Sequence, residues 1–206
     1  MRIVVLGSTG PTGRQVLNTA LHRGHEVVAL ARRPDAFSDV AHGSLEIRQA
    51  DVRVPDTITS ACREADAVIS ALGVRRGAPA GTLSAGAHAV VVAKPPRVAW
   101  TGTFGAGASG RRAGLLYDVI LRLVLGGGFG DKAIADEVVT GSQGTVFHPV
   151  MLTDGPETGK ATVVPLDVLD RSWRLMPPKV SRADVAAAMV TEVETPAYAG
   201  RAVAVY

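Results

Sequence analysis

The run Arg2-Ile3-Val4-Val5-Leu6 leads into Gly7-Ser8-Thr9-Gly10-Pro11-Thr12-Gly13, and an amphipathic stretch follows. Glycines spaced as Gly7-x-x-Gly10-x-x-Gly13 permit a tight turn and close approach of backbone to a ligand. A helix starting there aims unpaired N–H groups and a partial positive charge at the same place. This is chemistry for holding a diphosphate, and Ser8, Thr9 and Thr12 add hydroxyl donors. The alternative is a strand-to-helix turn with no ligand; the position between a first strand and an amphipathic helix is what the diphosphate reading requires.

A second set of charges stands at Arg32-Arg33, directly after the apolar run Glu26 to Ala31. In a dinucleotide-binding sheet the adenosine ribose lies at the end of the second strand. An acidic residue there takes the 2′-hydroxyl, whereas guanidinium groups match a 2′-phosphate in bidentate geometry. The expected cofactor is therefore NADP(H) rather than NAD(H), the alternative being two solvated surface arginines. Asp35 lies beyond Pro34, already in the following loop.

The elements that must position these residues alternate between short apolar or β-branched runs and helical segments, the pattern of a doubly wound parallel sheet covered on both faces. Strands are expected at Arg2–Leu6, Glu26–Ala31, Leu45–Ala50, Ala67–Leu72, Arg97–Thr101, Thr145–Phe147, Val163–Val164 and Ala202–Tyr206. Helices are expected from Pro11 to Arg23, stopped by Gly24, and over Pro55–Glu64, Ser84–Ala93, Leu115–Leu125, Lys132–Val139 and Arg182–Glu192. The almost wholly apolar run ending at Leu72-Gly73 reads as a central strand. The small-residue stretch Gly102 to Gly110 suits a ligand-lining loop, and Pro149 ends the strand before it. The expectation is an α/β fold, a Rossmann domain over residues 1–206 with small C-terminal elements on the substrate side.

With 206 residues and 47% hydrophobic content, the chain can bury the core of one such domain. A net charge of +3 with scattered Lys and Arg, and only isolated pairs at Arg75-Arg76 and Arg111-Arg112, argues against a nucleic-acid partner. The single cysteine, Cys62, excludes an internal disulfide and a cysteine-based zinc site, and the five histidines show no ligand spacing, so no metal is expected. The run Leu115 to Leu125 is interrupted by Asp118 and Arg122 and is shorter than the roughly 20 residues a bilayer needs, and the amino-terminal run lacks the features of a leader. A cytoplasmic monomer or homodimer with no membrane partner is expected.

The sequence resembles the NAD(P)-binding, atypical short-chain dehydrogenase/reductase group that includes NmrA-like proteins and the flavin/biliverdin-IXβ reductases. The resemblance is carried by Gly7 to Gly13, Leu30-Ala31-Arg32-Arg33-Pro34, Ala50-Asp51-Val52, Val68 to Gly73, Lys132 with Asp136-Glu137, and His148-Pro149 through Leu152-Thr153-Asp154-Gly155-Pro156. It implies that Asp51 and Val52 lie beside adenine and that Leu72 and Gly73 lie beside the adenosine ribose and phosphates. Lys132 falls at the group's lysine position. The Tyr-x-x-x-Lys acid/base pair of classical members is missing: the position that pair requires is Gly128, and Tyr117 has no lysine partner. The group's Ser-Ser after the fifth strand becomes Gly102-Thr103, leaving the Thr103 hydroxyl for a nicotinamide amide or a substrate oxygen. Its Arg-Pro becomes His148-Pro149, where His148 either donates a proton, contacts the nicotinamide ribose, or is structural.

Two functions follow from the resemblance. One is an NADPH-dependent reductase of a planar conjugated small molecule, a flavin, a quinone or a related polyketide or tetrapyrrole, with Phe104, Trp100 and the Gly105–Gly110 loop as a stacking surface and Trp100 equally suited to the core. The other is a non-catalytic NADP(H) sensor of the NmrA type. Sugar-nucleotide epimerase chemistry is disfavoured because it needs the tyrosine.

Overall fold

In the computed structural model, residues 1–38, 40–73, 79–105, 128–169 and 178–206 are described. In chain order the elements are β1 Arg2–Leu6, α1 Pro11–His22, β2 Glu26–Ala31, a 3-10 turn Pro34–Phe37, β3 Leu45–Gln49, α2 Pro55–Arg63, β4 Ala67–Ser70, α3 Thr82–Ala93, β5 Val98–Thr101, α4 Gly128–Gly141, β6 Thr145–Pro149, β7 Leu152–Thr153, β8 Val163–Pro165, β9 Val180–Ser181, α5 Arg182–Glu194 and β10 Ala202–Val205. The expected helix at Leu115–Leu125, Tyr117, residues 106–110 of the small-residue loop and the pairs Arg75-Arg76 and Arg111-Arg112 lie outside the described residues.

Eight strands form one sheet in the order β3-β2-β1-β4-β5-β6-β10-β8, while β7 and β9 pair separately. All neighbours in the large sheet run parallel except β8, which is antiparallel to β10. The strand order reverses at β1, which has β2 on one side and β4 on the other, so the crevice beyond Leu6 is the switch point where such sheets hold ligands.

Strand alternation divides the core between the two faces. Ile3 and Val5 meet Val16, Leu17 and Ala20 of α1 and Val185 and Met189 of α5. Val4 and Leu6 meet Ile58 and Cys62 of α2, Leu83 and Val90 of α3 and Val139 of α4. Burying each such Val, Leu or Ile side chain contributes about 1.5–3 kcal/mol. Cys62 is fully buried, and burial pushes its thiol pKa up to about 12, so it packs as an inert small side chain. A third, smaller cluster beside the sheet joins Phe104, Val150, Leu166, Leu169 and Ala204.

Helix ends follow their local signals. Gly24 adopts φ +79°, and its N–H reaches Leu21 O at 3.0 Å while His25 N–H reaches Ala20 O at 3.1 Å, a Schellman closure of α1. Ser181 caps α5 by accepting from Asp184 N–H at 3.0 Å. Several details differ from expectation: the helix α4 begins at Gly128 rather than Lys132, and β6 runs on through Pro149. β4 ends at Ser70 rather than Leu72, because Ala71 and Leu72 turn across the Gly7 backbone. The β7–β9 pairing was not anticipated, being only two residues long. Trp100 and Phe104 are 1% and 3% exposed, so both are core side chains and neither offers a stacking surface.

Candidate functional site

The glycine turn is built as its residue types require. Gly7 has φ +70°, and a Cβ on it would stand 2.5 Å from Ala71 O. A Cβ on Gly13 would lie 2.1 Å from Gly7 O, so the helix sits directly on the turn. Gly10 is different: its nearest neighbour would be Gly7 O at 3.3 Å, and its N–H donates to that oxygen at 2.9 Å. Gly10 is also the N-cap of α1, with Pro11 behind it, no capping side chain and no acidic residue in the first turn. The first turn thus carries neither a capping side chain nor an acidic group, the condition a cradle for a dinucleotide's diphosphate requires. Thr9 is exposed and Thr12 half-buried. Ser8 is fully buried and its hydroxyl donates to Leu30 O at 2.7 Å, tying the turn to β2; that hydroxyl is therefore not a ligand donor, contrary to expectation.

At the far end of the crevice, Arg32 and Arg33 are exposed immediately after β2. The Asp51 carboxylate accepts from Arg53 Nη2 at 2.6 Å, and hydrogen bonding from that side chain, aided last by the field of Arg32, holds its carboxyl below the usual range. Thr57 fixes this corner, its hydroxyl accepting from Asp51 N–H at 3.1 Å and donating to Val54 O at 2.7 Å. Val52 and Leu72, from different loops, close on Gly86 of α3, whose absent Cβ would lie 3.0 Å from Leu72 Cδ1 and 3.3 Å from Val52 Cγ1. Gly73 is exposed beside them.

At the ends of β5 and β6 a second group assembles. Lys132 Nζ donates to Thr103 Oγ1 at 2.5 Å. Burial lowers the lysine pKa from its ordinary value, and the charge of Asp136, one helical turn further along α4, opposes that shift. Asp136 Oδ2 in turn lies 3.2 Å from His148 Nε2, with side-chain exposures of 9% and 0%. Gly102 lets the pair meet the strand: a Cβ there would come within 2.8 Å of His148 Nε2 and 3.0 Å of Asp136 Oδ1. Pro149 is buried behind His148 as the last residue of β6.

Thr103 and Lys132 are thus in contact. His148 is fully enclosed and lies against Asp136. Asp136 was visible in sequence as part of a matching motif but carried no role; its i, i+4 spacing from Lys132 was the available signal. Asp131 was missed altogether. It accepts from Leu83 N–H at 2.8 Å, Ser84 N–H at 3.0 Å and Ser84 Oγ at 2.6 Å, capping α3 from α4 and fixing the helix that carries Lys132. No group of three or more His, Cys, Asp or Glu among the described residues could hold a metal ion, and no helix among them is long and apolar enough to cross a membrane.

Comparison with known proteins bears on family and fold. A family model described as NAD(P)H-binding matches residues 7–196. The chain is similar to the photosystem II assembly factor Ycf39 of Synechocystis sp., 35% identical over 75 residues that cover 36% of this chain and 23% of that protein. It is also similar to the 4-hydroxy-tetrahydrodipicolinate reductase of Natronomonas pharaonis, 34% identical over 79 residues covering 36% of this chain and 32% of that one. The chain therefore matches less than a third of the length of the first and about a third of the second. Among solved structures, ChuY, an anaerobillin reductase from Escherichia coli O157:H7, superposes with a TM-score of 0.79 at 22% identity, covering 100% of this chain and 96% of that chain. A wide-type short-chain dehydrogenase/reductase from Veillonella parvula, solved with NADP, superposes with a TM-score of 0.74 at 18% identity, covering 99% and 93%. At these identities the likeness is one of fold. The family match runs from the glycine turn past the Thr103–His148 group, and by it this chain belongs to the NAD(P)H-binding family.

Proposed function

We propose that the protein is an NADPH-dependent reductase of a planar conjugated acceptor such as a flavin, a quinone or a related molecule. The observation that carries this reading is the contact of the half-buried Lys132 with the Thr103 hydroxyl at the C-terminal end of β5, on the same sheet edge as the glycine cradle. Gly10, Pro11, Thr12 and Gly13 would hold the diphosphate, Arg32 and Arg33 the 2′-phosphate, and Asp51, Val52, Leu72 and Gly73 the adenosine. A reduced nicotinamide supplies the hydride, and delocalised acceptors need little acid catalysis once it is delivered.

The chain's own work is positioning and the accompanying proton. Donation from Lys132 Nζ polarises the Thr103 hydroxyl and makes it a stronger donor toward an acceptor oxygen or a carboxamide. Because burial lowers its pKa, the Lys132 ammonium releases a proton more readily than an exposed lysine. Asp136 holds the charge of that ammonium, and the enclosed His148 holds Asp136; both are positioning residues in this scheme. The proton lost to the reduced acceptor returns to Lys132 from solvent, so each turnover consumes one hydride and one proton.

The test is to titrate purified protein with NADPH and NADH and to follow loss of the reduced-nicotinamide absorbance with flavin and quinone acceptors. Saturable turnover with either acceptor is the expected result. Tight NADPH uptake with no turnover of any acceptor would replace this reading by the NADP(H)-sensor reading, which the enclosure of His148 and the missing tyrosine pair favour.

A further inference from the structure

A pair of arginines at a strand end recognises a phosphate only if its guanidinium groups are aimed, and β2 alone does not aim them. The chain after Arg33 is ordered as the 3-10 turn Pro34–Phe37, with Ala36 N–H donating to Arg33 O at 3.2 Å and no side-chain cap. Arg14 holds that turn from outside. Its Nη2 donates to Ala36 O, and its guanidinium carbon lies 4.2 Å from the centroid of the Phe37 ring. Phe37 is 1% exposed and packs in the core cluster that contains Val16 and Leu17. The turn is thus clamped between a cation and the core.

Arg14 belongs to the first turn of α1, its own N–H donating to Gly10 O at 2.9 Å. The helical turn that presents its backbone to the diphosphate therefore also fixes the segment that carries Arg32 and Arg33. The buried Ser8 hydroxyl on Leu30 O ties the same two segments together from the other end of the glycine turn. A binding group whose backbone is already fixed loses less freedom on meeting its ligand, and a bidentate guanidinium contact is sensitive to aim.

We propose that Arg14 is a positioning residue for coenzyme selectivity: by clamping the Pro34–Phe37 turn it sets Arg32 and Arg33 for a 2′-phosphate that it does not itself contact. This rests on the reading that the coenzyme's diphosphate lies on the start of α1 and its 2′-phosphate at the end of β2. Releasing the clamp leaves the backbone cradle of Gly10 to Gly13 in place, so the loss falls on the phosphorylated coenzyme alone.

The experiment measures Kd for NADPH and NADH by calorimetry on the wild-type chain and on Arg14→Met, Arg14→Lys and Phe37→Leu. Wild-type protein takes up NADPH more tightly than NADH; failure to take up either coenzyme overturns the underlying reading before any variant is made. Arg14→Met is expected to raise Kd for NADPH about tenfold, roughly 1.4 kcal/mol, with NADH within twofold. Arg14→Lys, which keeps the cation over the ring but loses the planar fork, should recover part of the selectivity. Phe37→Leu keeps the guanidinium and removes the ring, and should lower the NADPH/NADH preference about threefold; it decides the matter if Arg14→Met does not fold. Equal losses for both coenzymes, or an unchanged ratio in both Arg14→Met and Phe37→Leu, would show that Arg14 serves stability only and would overturn the proposal.

Discussion

Lys132 Nζ touches the Thr103 hydroxyl at 2.5 Å across a sequence separation of 29 residues, joining α4 to the end of β5. Burial gives this half-buried lysine a lowered pKa, and the contact gives a hydroxyl that follows a strand a fixed cationic donor.

Replacing Lys132 by Met separates function from stability. Turnover of a flavin or quinone should fall about 100-fold, the usual scale for losing a positioned proton donor. Stability should not fall, because the folded chain disfavours the charged form of this lysine. Its folded pKa is depressed, so between that value and the ordinary lysine value the unfolded state binds more protons, and wild-type stability rises with pH across that window. Thermal melts of the variant should lack that rise, whereas an equally steep rise in the variant would assign the pH response to other groups. Wild-type turnover should decline as pH climbs through the lowered lysine value.

Two glycines of the turn, Gly13 and Gly10, should respond differently to alanine. Gly13→Ala drives a Cβ to 2.1 Å from Gly7 O, a backbone clash that costs about 1–3 kcal/mol or prevents folding. Gly10→Ala meets only Gly7 O at 3.3 Å, so melting should change little while coenzyme affinity drops. A Gly10→Ala protein that binds coenzyme as wild type would place the diphosphate elsewhere.

Arg32→Asp should weaken NADPH binding by about tenfold or more and leave NADH nearly unchanged, since the substitution sets like charge against a 2′-phosphate. Parallel titrations of the two coenzymes check this; equal weakening of both removes the 2′-phosphate assignment.

Gly102→Ala probes the enclosed pair. The new methyl would press on His148 Nε2 and Asp136 Oδ1, displacing the carboxylate that faces Lys132. Turnover should drop by up to about 100-fold with coenzyme Kd retained, and the alkaline limb of the pH–rate profile should move. An unshifted profile would mean that Asp136 does not set the lysine.

Asp131→Asn tests how α3 and α4 are joined. Burial alone would raise the Asp131 carboxyl pKa, but hydrogen bonds from the Ser84 hydroxyl and from the Leu83 and Ser84 N–H groups outweigh it and hold the value below the ordinary one. Its stabilising contribution is therefore complete above the ordinary aspartate pKa and is lost as pH falls through the folded value. The variant should lose about 0.5–2 kcal/mol at neutral pH and less in acid, by denaturant melts at both pH values.

The sequence by itself determined the local geometry of this protein. Gly7, Gly10 and Gly13 announce a turn that only small residues can make, Gly24 a helix stop, and the apolar runs Arg2–Leu6 and Ala67–Ser70 the strands that flank the switch point. These signals are legible because each acts within a few residues, through φ preference, capping or strand alternation. Arg32-Arg33 was legible for the same reason, as the residue type at a strand end. What only the tertiary structure decided is which side chains meet. Ser8 is spent on Leu30, Arg14 on Ala36 and Phe37, Asp131 on the start of another helix, and Trp100 and Phe104 on the core. His148 meets Asp136 because β6 and α4 converge there. Such pairings depend on strand order and helix placement across the whole sheet, where distance along the chain carries no information about distance in space.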